Sequence, residues 1–195
     1  MLISKNKKTT IISQIILTIL ALIFLFPVFV MFKISFQGRG IENYYKVISL
    51  DYVYKFFFNS IIVSIFTVAL VYFLSLLAAY SLSKLKPIGK KSFFNLILVG
   101  LMVPNVALVV PIFLLFLQLD LFKSYLAMIL PITAGVIPFA VLVFKNYLDN
   151  VPNELLEAAQ IDGAGPFMIL RKIILPLSIS ISVVVVIWTF LMTWN

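Results

Sequence analysis

One polar segment, Lys145 to Pro176, interrupts long apolar stretches and carries Glu154, Glu157, Asp162, Gly163, Arg171 and Lys172. These residue types do not make a catalytic centre. The chain has no His and no Cys. A Ser–His triad, a His-ligated zinc, an HExxH site, a thiolate metal site and a disulfide framework are therefore all out of reach. GxxxxGK[ST] is absent too, and its nearest fragment, Gly89-Lys90, lacks the preceding glycine. The expectation is a chain with no catalytic residue, no metal and no cofactor.

That segment reads as two short helices at a surface. Asp149 and Asn150 precede Pro152, a start signal for a helix with Glu154 and Glu157 in its early turns. Asn153 to Asp162 is helix-prone, and Gly163 can close it in the left-handed conformation that glycine adopts at low cost. Gly165-Pro166 opens a second helix, in which helical spacing puts Phe167, Leu170 and Ile174 on one face. Ala158 and Ala159 leave a small surface that a partner backbone can approach.

The elements that must position this loop are set by composition. Hydrophobic residues fill 63% of 195 positions and charged residues 11%, against about 45–50% and about 25% in soluble domains. Such a surface faces lipid. The net charge of +8 does not indicate nucleic acid, because the basic residues cluster beside apolar stretches, as in the positive-inside pattern. Five stretches are near or above the roughly 20 residues needed to cross about 30 Å of hydrocarbon. They are Ile11–Phe32, read as a retained helix rather than a signal peptide, Ser60–Leu82, Phe93–Leu119, Tyr125–Phe144 and Leu177–Thr193. Pro104 and Pro111 in the third, and Pro131 and Pro138 in the fourth, invite kinks. No Asp, Glu, Lys or Arg falls inside the five stretches, so coupling energy for any transport must enter from elsewhere.

With the N-terminus inside, the inner segments hold Lys5, Lys7, Lys8, Lys84, Lys86, Lys90, Lys91, Lys145, Arg171 and Lys172. The outer segments hold Lys33, Arg39, Lys46, Lys55 and Lys123. Ten against five predicts a multi-pass protein of the cell (inner) membrane with a cytoplasmic N-terminus and residue 195 outside.

Glu157-Ala158-Ala159, three residues, Gly163, nine residues, then Ile173-Ile174-Leu175-Pro176 resembles the EAA loop of binding-protein-dependent ABC importer permeases, EAA-x3-G-x9-I-x-LP. Every specified position is met. The run EAAQIDGAG with Pro152 looks like the sugar-importing, maltose- and glycerol-phosphate-type branch. Asn59-Ser60, Ala78-Ala79-Tyr80, Pro104, Pro111 and Thr193-Trp194-Asn195 agree with it. The likeness covers about Asn43 to Asn195.

The resemblance implies an all-α, polytopic bundle with five spans here and six in full-length relatives. It implies one permease domain over residues 1–195, with the coupling loop at about 145–176 between the fourth and fifth spans. Glu157, Ala158, Ala159, Asp162, Gly163, Ile173, Leu175 and Pro176 become the docking element for a separate ATPase. Glu157 is to offer charged hydrogen bonds and Gly163 the bend. The implied partners are a second permease subunit, a cytoplasmic ATP-binding-cassette dimer, an extracytoplasmic solute-binding protein and membrane lipid. The implied function is import of a carbohydrate or related solute, with no enzymatic activity in the chain itself. The alternatives are a permease for a non-sugar solute and a non-transporting truncated membrane protein. On the six-span pattern, a chain stopping at Asn195 is expected to insert but to support little transport alone.

Asn105 beside Pro104 is the expected pathway position. For Ser64, Thr67, Tyr72, Ser75, Thr133, Ser178, Ser180, Ser182 and Thr189 the expected role is interhelical hydrogen bonding.

Overall fold

The computed structural model describes residues 7–194, with side chains from Thr10 onward. Lys5 and Asn195, and the side chains of Lys7 and Lys8, lie outside the described residues. Every regular element among the described residues is helical, as the composition predicts.

The chain divides into two compact units, meeting in sequence at Phe56 and Phe57. The first holds α1 (Lys7–Ser35), α2 (Glu42–Ile48) and the opening turns of α3. The α1 helix is apolar, and it passes Pro27 without ending. The turn after it is tied by Asn43, whose Nδ2 donates to the carbonyls of Ser35 (3.0 Å) and Gln37 (2.9 Å).

The second unit holds the rest of α3, which runs from Asp51 to Leu85 with a π-helical last turn, Ser81–Leu85. It continues with α4 (Lys90–Met102), α5 (Asn105–Gln118) and α6 (Leu126–Asp149). After these come α7 (Asn153–Ile161), α8 (Pro166–Ile169), a π turn (Leu170–Ile174), α9 (Leu175–Leu177) and α10 (Ile179–Trp194). The α6 helix is central and packs on α4, α5, α10 and the π turn of α3. Its Val136, Ala140, Phe144 and Leu148 meet Val71, Leu76, Ala79 and Tyr80 of α3 and Val185 of α10. The same core reaches Leu156 of α7 and Ile169, Leu170 and Ile174 beyond it.

Three helices are long and apolar enough to cross a membrane, Thr10–Ser35, Asp51–Leu85 and Leu126–Asp149, and there are up to five spans if each bent pair is one. At 1.5 Å per residue, the 35-residue α3 is about 52 Å long, well beyond about 30 Å of hydrocarbon. Its charged Asp51, Lys55 and Lys84 therefore fall at its ends. The helices of the second and fourth stretches therefore run beyond the apolar stretches at their ends. In particular α6 continues through Lys145 to Asp149, where the sequence suggested that the loop had begun.

The third stretch is not one kinked helix. Here α4 and α5 meet at 95°. Pro104 lacks an N–H and disfavours helical backbone at the residue before it, and Val103 is accordingly extended (φ −80°, ψ 117°). Pro131 and Pro138, by contrast, lie inside an unbroken α6. The fifth stretch is likewise preceded by a 77° bend between Pro166–Leu177 and α10.

Candidate functional site

The polar loop is built from the end of α6 outward. Pro152 takes the position before α7 (φ −57°, ψ 135°), its ring fixing φ where the chain must turn into the helix. Glu154 in the first turn complements the positive end of the helix. At the other end Gly163 has φ +83°, as the spacing predicts. Its N–H donates to the carbonyl of Gln160 (3.0 Å), and that of Ala164 donates to Ala159 (2.9 Å). This pair of bonds is the Schellman closure, which satisfies the last carbonyls of α7. A Cβ built on Gly163 meets nothing within 4 Å, so glycine is needed there for its backbone and not for space.

The two faces of α7 differ. Leu156 is buried and Ala159 half-buried against the core. Glu154, Leu155, Glu157, Ala158, Gln160 and Asp162 are exposed. Ile161 is 87% exposed and Phe167 is 75% exposed. Both lie between α6 and α10, and large exposed apolar side chains of this kind are what contact surfaces use. Of the eight expected coupling residues, Glu157, Ala158, Asp162, Gly163 and Pro176 are exposed. Ala159, Ile173 and Leu175 instead pack on the core.

Phe167 departs from the expected face. Leu170 and Ile174 are buried, but Phe167 points out and Ile169 takes the inner position. The π turn Leu170–Ile174 accounts for the change. Pro176 has no N–H to offer the Lys172 carbonyl, and the wider turn shifts the ladder by one residue, so regular helical spacing no longer assigns faces.

Five side chains that the sequence reading did not single out for this role hold the loop. Tyr80 Oη donates to the Pro166 carbonyl (3.1 Å), and Tyr147 Oη to the Leu177 carbonyl (2.5 Å). Ser83 Oγ donates to Asp149 Oδ1 (2.6 Å), and Lys145 Nζ is 2.6 Å from Asp149 Oδ2. Lys84 Nζ donates to the Val151 carbonyl (2.6 Å) and Asn153 Oδ1 (3.1 Å). The ends of α3 and α6 thus grip the entry to α7 and the run into α10. The only sequence signal for them was Ala78-Ala79-Tyr80, noted as part of a resemblance.

Asn105 opens α5 at the 95° break and lines a cavity of about 630 Å³ with Phe113, Phe116, Met128, Gly135 and Met192. Its Oδ1 lies 3.3 Å from where a Cβ on Gly135 would stand, so the glycine permits close approach of α5 and α6. Pro104 caps the same break without lining the cavity. Ser64, Thr67, Ser75, Thr133 and Ser178 are buried with no side-chain hydrogen-bond partner among the described residues. Thr189 bonds back to the Val185 carbonyl (2.7 Å), whereas Ser182 reaches both the Ser178 carbonyl (2.7 Å) and Tyr72 Oη on another helix (3.5 Å). Of the expected interhelical network the described residues show the Ser182–Tyr72 bond, and Thr189 bonds within its own helix instead.

Over residues 71–195, a stretch containing the whole loop, the sequence matches the family described as "Binding-protein-dependent transport system inner membrane component". The chain belongs to this family. It is thus a multi-pass membrane transport component, as its loop spacing implied. It is similar to the inner membrane ABC transporter permease protein YcjP of Escherichia coli, with 30% identity over 92% of this chain and 70% of that protein. It is also similar to the arabinooligosaccharides transport system permease protein AraQ of Bacillus subtilis, with 31% identity over 90% of this chain and 68% of that one. A chain in the crystal structure of a bacterial ABC transporter involved in the import of the acidic polysaccharide alginate has the same fold. Its TM-score is 0.81 at 24% identity, covering 100% of this chain and 74% of that chain.

Proposed function

We propose that this permease component moves a carbohydrate across the cell membrane and is driven through α7 and α8 by a separate ATP-hydrolysing subunit. The observation that carries the reading is the two-faced loop. Leu156 and Ala159 root α7 in the core, while Glu157, Ala158, Ile161 and Phe167 face outward at a Schellman bend. A cytoplasmic ATPase dimer docks there and moves α7 as a lever against α6 and α10. Glu157 makes no ion pair among the described residues and so has its carboxylate free for a donor on the ATPase. A second permease subunit completes the pathway, and an outer binding protein delivers the solute. The carbohydrate class is supported by the arabinooligosaccharide relative. Asn105, at the break between α4 and α5, is the proposed pathway residue.

The test is charge reversal. Glu157→Lys changes an exposed side chain, so membrane abundance stays within the range of ordinary surface substitutions, about 0.5 kcal/mol in stability. Uptake of labelled oligosaccharide by vesicles holding the full set of subunits should fall more than about tenfold, because like charges then meet at the docking face. Unchanged uptake would remove α7 as the coupling element. Uptake confined to a non-sugar solute would remove the substrate class while leaving the coupling intact.

A further inference from the structure

A second polar site lies where α3 ends and α4 begins. The π turn of α3, the start of α4 and the last turn of α6 enclose a cleft of about 480 Å³. Its walls carry Lys84, Lys86, Lys90, Lys91 and Lys145, with Asp149 the only acid among the lining residues. Two of the five lysines are occupied. Lys84 holds Val151 and Asn153, and Lys145 pairs with Asp149 while standing 4.7 Å over the Phe94 ring. Lys86, Lys90 and Lys91 are exposed and have no ion-pair or hydrogen-bond partner among the described residues.

Lys90 and Lys91 are also the first two residues of α4, a 13-residue helix with no side-chain cap and no acid in its first turn. Lysines at the positive end of a helix are electrostatically unfavourable, and free N–H groups there add to the field. Lining, charge and helix end all favour one kind of group, an anion with several oxygens.

The surroundings indicate its source. The linking turn exposes Ile88 completely and Leu85 by 48%, and Phe93 on α4 is 58% exposed. Apolar side chains alternating with unpaired lysines, at the end of a helix long enough to span, suit the boundary between acyl chains and headgroups. We propose that this cleft binds the phosphate of an anionic phospholipid headgroup, with Lys86, Lys90 and Lys91 as its ligands and Ile88 in the acyl region. This goes beyond the coupling function, and it ties a lipid to the π turn that also grips α7 through Lys84.

The full chain, purified in detergent, can be titrated with phosphatidylglycerol or phosphatidylcholine and its retained lipid read by native mass spectrometry. Phosphatidylglycerol should be retained in preference. Replacing Lys86, Lys90 and Lys91 together by Gln should lower that retention at least about fivefold, the effect of losing one lysine near a charged bilayer surface. The corresponding Arg triple variant should keep it. None of the three side chains makes a contact whose loss unfolds the chain. Equal retention of the two lipids would overturn the proposal, as would an unchanged Gln triple. An equal loss on replacing Lys33, Lys46 and Lys55 by Gln would assign the effect to net charge and overturn it too. Displacement of the lipid by millimolar inorganic phosphate would make this a free-anion site and not a lipid one. Transport is not measured, so the result stands apart from the coupling test.

Discussion

Gly163 shows how much one residue contributes to the loop. It closes α7 at φ +83° in open space, so a substitution is opposed by backbone conformation and not by a clash. A left-handed residue bearing a Cβ costs about 1–2 kcal/mol, less for Asn and more for a β-branched side chain. Import by the assembled transporter should therefore fall in the order Gly, Asn, Ala, Val, while immunoblots show equal protein in the membrane. Equal import across the series would mean that the bend is not transmitted to function. At the neighbouring positions Glu157, Ala158 and Asp162, which the resemblance implied for docking, are exposed. Sequence spacing could not separate Ala158 from Ala159, because which of two adjacent alanines faces the core depends on how α7 seats Leu156 in it.

Among the elements, the grip on the loop comes from helix ends distant in sequence. Tyr80 and Pro166 are separated by 86 residues and Lys84 and Val151 by 67, yet their hydrogen bonds fix both sides of α7. Each such bond contributes about 1 kcal/mol net. Tyr80→Phe combined with Lys84→Met should speed amide exchange across 153–161 by at least about fivefold, with α6 unaffected at its centre. Unaltered exchange in α7 would show that burial of Leu156 alone holds the helix. The run EAAQIDGAG announces the loop, but nothing local announces its clamps, since a Tyr or Lys at a helix end has many possible partners. The 95° break was partly legible. Pro104 signalled an irregularity, and only the packing of α4 and α5 against α6 converts a tolerated proline into a break, as Pro131 and Pro138 in unbroken helix demonstrate.

For the whole molecule, the lysine asymmetry predicts that the loop faces the cytoplasm. The chain has no native cysteine, so single cysteines can be placed without background. Gln160 and Ser49 are both exposed and suit this better than Ser83, which is buried and bonded to Asp149. In intact cells a cysteine at Ser49 should react with an impermeant maleimide, and one at Gln160 should react only after the inner face is opened. Labelling of Gln160 from outside would reverse the orientation and place the loop beyond reach of a cytoplasmic ATPase.

The residues by themselves determine the membrane class, the helical fold, the EAA spacing and the bend at Gly163. Each of these follows from run length, from charge placement or from the φ preference of a single residue, all of them local. The tertiary structure alone decides which face of α7 is rooted, which lysines are spent and which remain free, and how sharply the third stretch bends at Pro104. Those outcomes are set by side chains tens of residues apart meeting across packed helices, and by π turns that shift the helical register by a residue. Regular spacing along one helix carries no record of either.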